Sequence, residues 1–183
     1  APKSLLNSLP VAIWLEDFSE VKKFLDGLSG KGVSDFNRYF LENPEDIQYC
    51  VSLIKVISVN DSALKMTGID TAPERIDDLP RVFNQDYKSI FQDEFVLLAN
   101  GGTSFRSSAV TVDANDKSAQ IIFQLDVVEG YEHDLSRVLI TVTDITKETF
   151  LEKERNLSEA KWQTIFGSLV DGILIIDRDL KIT

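Results

Sequence analysis

The residues that could do chemistry in this chain are few, and their spacing excludes most reactions. There is one histidine, His133, and one cysteine, Cys50. That inventory rules out a multi-histidine metal site, a thiolate cluster and an internal disulfide. His133 sits between Glu132 and Asp134 in a polar stretch and reads as a surface histidine. Cys50 falls at helical spacing with Ile47, Val51 and Ile54 and reads as a small buried hydrophobe. Gly101-Gly102 could open a phosphate loop, but the pair ends a helical run and no Lys-Ser/Thr follows, so helix termination is the reading. No serine, histidine and carboxylate constellation is present, and no catalytic activity is expected of this chain. The remaining candidates concern binding. Phe95, Phe105 and Phe123 could wall an apolar pocket, with Arg106 reaching a ligand carboxylate by a charge-assisted contact. Ordinary core packing is the competing role for each aromatic, and a solvated side chain the competing role for Arg106. Strand alternation puts Phe105, Ser107, Ala109 and Thr111 on one face and Arg106, Ser108, Val110 and Val112 on the other. Both faces are mixed, so the sequence leaves open which one looks inward.

The elements that must position these residues follow an α+β order. Val11–Leu15 predicts strand one. Ser19 and Ser34 are candidate caps for two helices carrying Val21, Phe24, Leu25, Leu28 and then Phe36, Tyr39, Phe40 on their apolar faces. Asn43-Pro44 suits the start of a third helix, and strand two should follow from near Leu53 to Val59. Asn60-Asp61 caps a short helix closed by Gly68. Pro73 and Pro80 keep Thr71–Phe83 irregular. A longer helix then presents Tyr87, Ile90, Phe91, Phe95, Leu97 and Leu98 before the glycine pair stops it. Strands at 105–112, 119–128 and 137–145 follow, the first two joined by a turn at 113–117. With 43% hydrophobic residues, the chain can bury one good core. The net charge of −11 argues against nucleic acid or an anionic membrane surface as partner. No apolar run has membrane-spanning length. The thiol and histidine counts favour a cytoplasmic compartment.

Beyond strand five the chain turns charged and helical, with Thr146 a candidate cap and Glu148 and Glu152 near the helix's positive end. Leu157, Trp162, Ile165, Phe166 and Leu169 form an apolar seam along it, which predicts a homodimer through this helix. Arg155 can pair with Glu152 or Glu159. The stretch Leu5–Asp17 lies over Ile165–Asp177 at a constant offset of 160 residues, with Ser, Leu, Ile and Asp recurring. A repeat at that spacing predicts tandem domains, the second represented by its truncated first strand at 171–183.

Together, Val59-Asn60-x-x-Ala63, the helix ending before Gly101-Gly102, the turn at 113–117 and Val142-x-Asp144-Ile145-Thr146 running into a charged helix resemble a PAS domain. The resemblance covers roughly 5–146, with a partial copy from Trp162. It implies an α+β PAS fold: a five-stranded antiparallel sheet with helices on one face, here with a helical insertion at about 18–52 between strands one and two. The implied boundaries are a sensor domain at 1–146, a linker helix at 147–170 and the start of a second PAS domain. A sensory input or relay role is implied, within a sensor histidine kinase or cyclic-dinucleotide enzyme whose output domain lies downstream. The ligand would occupy the space between the sheet and the helix at 87–98. Asp144, Ile145 and Thr146 would relay the signal. The alternative is a ligand-free dimerisation and spacing module. Haem-binding relatives place their iron ligand on the long helix, and flavin-binding ones carry a later Asn-Cys-Arg-type motif. His133 and Cys50 fit neither, so no cofactor is expected, and an unidentified small organic ligand remains the open input.

Overall fold

Runs rich in β-branched residues pair into one sheet, and the helical segments fold over one of its faces. The computed structural model describes residues 7, 9–74, 87–112 and 118–168. The chain divides into two units, 1–145 and 146–183. Among the described residues the first unit contains β1 (Ala12–Asp17), α1 (Ser19–Gly30), α2 (Phe36–Glu42), α3 (Pro44–Leu53), β2 (Lys55–Val59), α4 (Asp61–Thr67), α5 (Tyr87–Ala99), β3 (Ser104–Val112), β4 (Ser118–Val127) and β5 (Val138–Asp144). The second contains α6 (Thr146–Ser168). Sheet order is β2-β1-β5-β4-β3, with every neighbouring pair antiparallel. The α+β class and the helical insertion between the first two strands are as the sequence predicts. The strand from 171, the turn at 113–117, residues 75–83 of the irregular stretch and most of the lead-in at 4–9 lie outside the described residues.

The period-2 pattern of the strands decides which face is covered. Val138, Ile140 and Val142 of β5 are buried, as are Ala119, Ile121, Phe123 and Leu125 of β4. The insertion completes the same core: Phe18, Val21, Leu25, Phe36, Phe40, Ile47, Cys50 and Ile54 are all buried within it. Its helices α1, α2 and α3 pack against α5. The Phe40 and Phe95 rings lie 6.1 Å apart, and Phe91 stacks on Phe95 at 5.8 Å. The inserted segment is therefore core rather than appendage.

Local capping differs from expectation at three places. Ser19 is the first residue of α1, and its N–H donates to the Asp17 carboxylate at 2.8 Å. Asp35, not Ser34, caps α2 and accepts from the Arg38 N–H at 2.9 Å. Thr146 is likewise the first helical residue of α6. At the first two starts a carboxylate, a stronger acceptor than a hydroxyl, takes the free N–H groups. The stop of α5 follows the sequence closely. Gly101 has φ +81°, the Gly102 N–H donates to the Leu97 carbonyl at 2.9 Å, and a Cβ on Gly102 would lie 2.5 Å from the Leu97 side chain. Only glycine fits there.

Candidate functional site

The core holds two buried carboxyl groups, Glu16 on β1 and Glu94 on α5. On β1, Ala12, Trp14 and Glu16 share the core-facing side, and Glu16 is 3% exposed. Unshifted pairing with β5, Glu16 against Val138, keeps it there by alternation, while the edge toward β2 carries a bulge. Trp14 pairs with Val59 and Leu15 with Ser58, but Glu16 pairs with Val56, so Ile57 is the extra residue on β2. Val56 and Val59, three apart, can then both pack against the core, which unbroken alternation forbids. On α5 the buried stripe is Phe91, Glu94, Phe95 and Leu98, spaced i, i+3, i+4, i+7. Glu94 occupies the position where an apolar residue would complete the stripe. It is fully buried, and neither carboxyl oxygen has a hydrogen-bond partner among the described residues.

Burial has an electrostatic consequence. Removing a carboxylate from water penalises its charged form. Burial pushes Glu16 up to about 8. Burial, and after it the charge of Glu16, holds Glu94 well above the usual carboxylate range. A carboxyl in this setting stays protonated at neutral pH, when an ordinary glutamate is charged. The pair can therefore hold and release protons inside an apolar, aromatic-walled space. Among the described residues no cluster of three or more potential ligands could hold a metal ion.

A cleft of about 440 Å³ opens between the first turns of α5 and strands β3 and β4. Ser89, Ile90, Asp93, Ser107, Gln120 and Ile121 are among its lining residues, and so is Ile145. The Ile145 N–H donates to the Gln120 carbonyl at 2.8 Å, tying the end of β5 to β4. Of the residues singled out for binding, Phe105 and Phe123 meet edge-to-face at 6.3 Å on the covered side of the sheet. Phe95 is fully buried between Phe91 and Phe40. Arg106 departs from its expected role. It points to the opposite face of β3 and is exposed, because alternation that turns Phe105 inward must turn its neighbour outward. It cannot clamp a ligand in the covered interior. His133 is exposed in a turn, 3.5 Å from Asp134.

No family model and no curated relative matches the sequence. Solved structures similar to this chain include a LOV protein from Rhodobacter sphaeroides, at TM-score 0.48 and 14% identity over 78% of this chain and 64% of that one. Another is the PAS domain of BvgS from Bordetella pertussis, at TM-score 0.43 and 10% identity, covering 86% and 95%. A third is the PAS domain of a LuxR-family transcriptional regulator from Burkholderia thailandensis, solved with ethanol, at TM-score 0.44 and 11% identity, covering 79% and 97%. The chain thus spans about two-thirds of the length of the LOV structure.

The acid pair escaped the sequence reading for identifiable reasons. Glu94 stood between Asp93 and Phe95 in a charged-looking stretch, and only its spacing from Phe91 and Leu98 marked it as inward. Glu16, beside Asp17 at a strand end, resembled the polar rim of a turn. In the second unit, α6 carries Phe150, Leu151 and Leu157 exposed, and Arg155 lies 3.9 Å from Glu159. Trp162, Ile165 and Phe166 fall within α6, while Leu169 lies outside the described residues. No helix among the described residues is long and apolar enough to cross a membrane.

Proposed function

We propose that this chain is a PAS sensory domain, the input or relay module of a signal-transduction protein such as a sensor histidine kinase or cyclic-dinucleotide enzyme. One observation carries the reading. β5 lies inside the sheet between β1 and β4, and its last residue is followed within two positions by the 23-residue helix α6. Any change in how the helices sit on the sheet acts on a strand whose covalent continuation is a long helix. Asp144, Ile145 and Thr146 form that junction. Ile145 also lines the cleft beside α5, so a small organic ligand there would touch the relay directly. Coupling requires the ligand to prefer one of two arrangements of the domain. The sequence motifs around Asn60 and Asp144-Ile145-Thr146 support the same family. In this reading the protein works in the cytoplasm as a dimer joined through α6, with its output domain downstream.

A second reading, a ligand-free dimerisation and spacing module, is favoured by the exposed Phe150, Leu151 and Leu157 on α6. Native mass spectrometry of the purified chain separates the two. A dimer carrying a small-molecule adduct supports sensing. A dimer without any adduct, from several preparations, supports the spacer. Leu157→Asp with Ile165→Asp should convert either dimer to monomer, because it places charge on an apolar seam. A parent chain that is already monomeric at high concentration would overturn association through α6.

A further inference from the structure

Glu16 and Glu94 reach one apolar interior from two separate elements, a strand and a helix. Two carboxylates there repel each other and forfeit hydration, unless a cation or a proton accompanies them. Among the residues whose side chains are described, the surrounding elements supply no cation. On α1, Lys22 and Lys23 are tied to Asp26 and Glu20, and on α2 Arg38 is tied to Glu42. Lys55 of β2 and Arg106 of β3 are exposed, and α3, β4 and β5 contain no basic residue. On α3 the carboxylate of Asp46 takes the Tyr39 hydroxyl, and the Cys50 thiol is the remaining buried titratable group among the described residues. No basic side chain among them is buried.

We propose that Glu16 and Glu94 form a proton-binding site that makes the domain's interior respond to pH. With a proton on each carboxyl, the interior stays closed. Once Glu16 ionises, the demand of its buried charge for water loosens α5, and the insertion helices packed on it, from the sheet. The two sites titrate in order. Glu16 releases its proton to solvent first, and its charge then holds the proton on Glu94 more tightly. The sheet gives this event a route outward. Glu16 pairs with Val138, the first residue of β5, and β5 ends at the root of α6. The inference goes beyond the sensory reading above, since it needs no organic ligand and names a separate input.

Infrared difference spectroscopy and hydrogen exchange on the intact chain, between pH 5 and pH 9.5, test it with two readouts. At pH 6.5 the parent should show the C=O band of buried protonated carboxyls, and part of that band should vanish through a transition near 8. Over the same range, α5 amide exchange, corrected for its intrinsic pH dependence, should rise at least tenfold more than that of α4. In Glu16→Gln the remaining carboxyl should titrate at lower pH than Glu94 does in the parent, because its charged neighbour is gone. In Glu94→Gln the transition near 8 should persist. Absence of a protonated-carboxyl band at pH 6.5 would overturn the proposal, as would loss of the band with unchanged α5 protection. If either variant fails to fold, the parent's two readouts still decide. A negative result leaves α6-mediated dimerisation untouched, and a monomeric chain leaves the infrared band untouched, so the two ideas fail separately.

Discussion

Asn60 engages both backbone polar groups of Ile13. The Ile13 N–H donates to Asn60 Oδ1 at 3.0 Å, and the Asn60 N–H donates to the Ile13 carbonyl at 3.1 Å. The same Oδ1 accepts from the Ala63 N–H at 2.9 Å, and Asn60 Nδ2 donates to the Val11 carbonyl at 2.8 Å. One buried side chain therefore caps α4 and pins the start of β1. The spacing in Val59-Asn60-x-x-Ala63 is the spacing of that cap.

Asn60→Ala should cost about 2–4 kcal/mol, the sum of a lost cap and of polar groups at Ile13 and Val11 left without partners. Asn60→Asp keeps the acceptor but loses the donor to Val11, and should fall between parent and alanine variant. Urea denaturation measures both. A loss below about 0.5 kcal/mol for the alanine variant, the range of an ordinary surface change, would refute the dual role.

Phe40 tests whether the insertion belongs to the core. Its ring is fully buried and meets Phe95, so Phe40→Ala should destabilise by about 3–5 kcal/mol. The adjacent Leu41 is 68% exposed, and Leu41→Ala should stay within about 0.5 kcal/mol of the parent. Equal losses from the two substitutions would mean that the helices of the insertion are accessory.

The Cys50 thiol is fully buried, and burial, with the charge of Asp46 as a lesser cause, pushes it up to about 12. Thiolate is the reactive form. A disulfide reagent should label the native chain far more slowly than the chain in denaturant, with the native rate following local opening. Prompt stoichiometric labelling under native conditions would contradict the burial.

Tyr39 gives a pH dependence at the alkaline end. Its hydroxyl donates to Asp46 at 2.5 Å, and that hydrogen bond, then burial, pushes the phenol up to about 12. The folded chain holds the proton more tightly than the unfolded one, so the stabilisation is complete below about 10 and is lost as pH rises from there to about 12. In a phenolate absorbance titration, one of the four tyrosines should ionise late in the parent, and Tyr39→Phe should remove that late step. Tyr39→Phe should also cost about 1–2 kcal/mol at neutral pH. A titration unchanged by the substitution would sink the assignment.

What the sequence determined by itself was local. Alternation in 119–125 and 138–142 specified strands, Asn60 and Gly68 bounded α4, and the glycine pair ended α5, because such signals act over a few residues through backbone sterics and nearby hydrogen bonds. The order of elements also gave the α+β class, since one long insertion and three late strands leave few arrangements. Tertiary structure decided the faces and the meetings. Nothing within 104–112 says whether Phe105 or Arg106 turns inward; the pairing with β4 and the helices covering one side of the sheet settle it. Likewise Glu16 and Glu94 are 78 residues apart in the chain, and each alone resembles a surface acid. Their burial follows from the unshifted pairing of β1 with β5, the stripe of α5 and the helices of the insertion that complete the core, and the altered proton affinity follows from that burial.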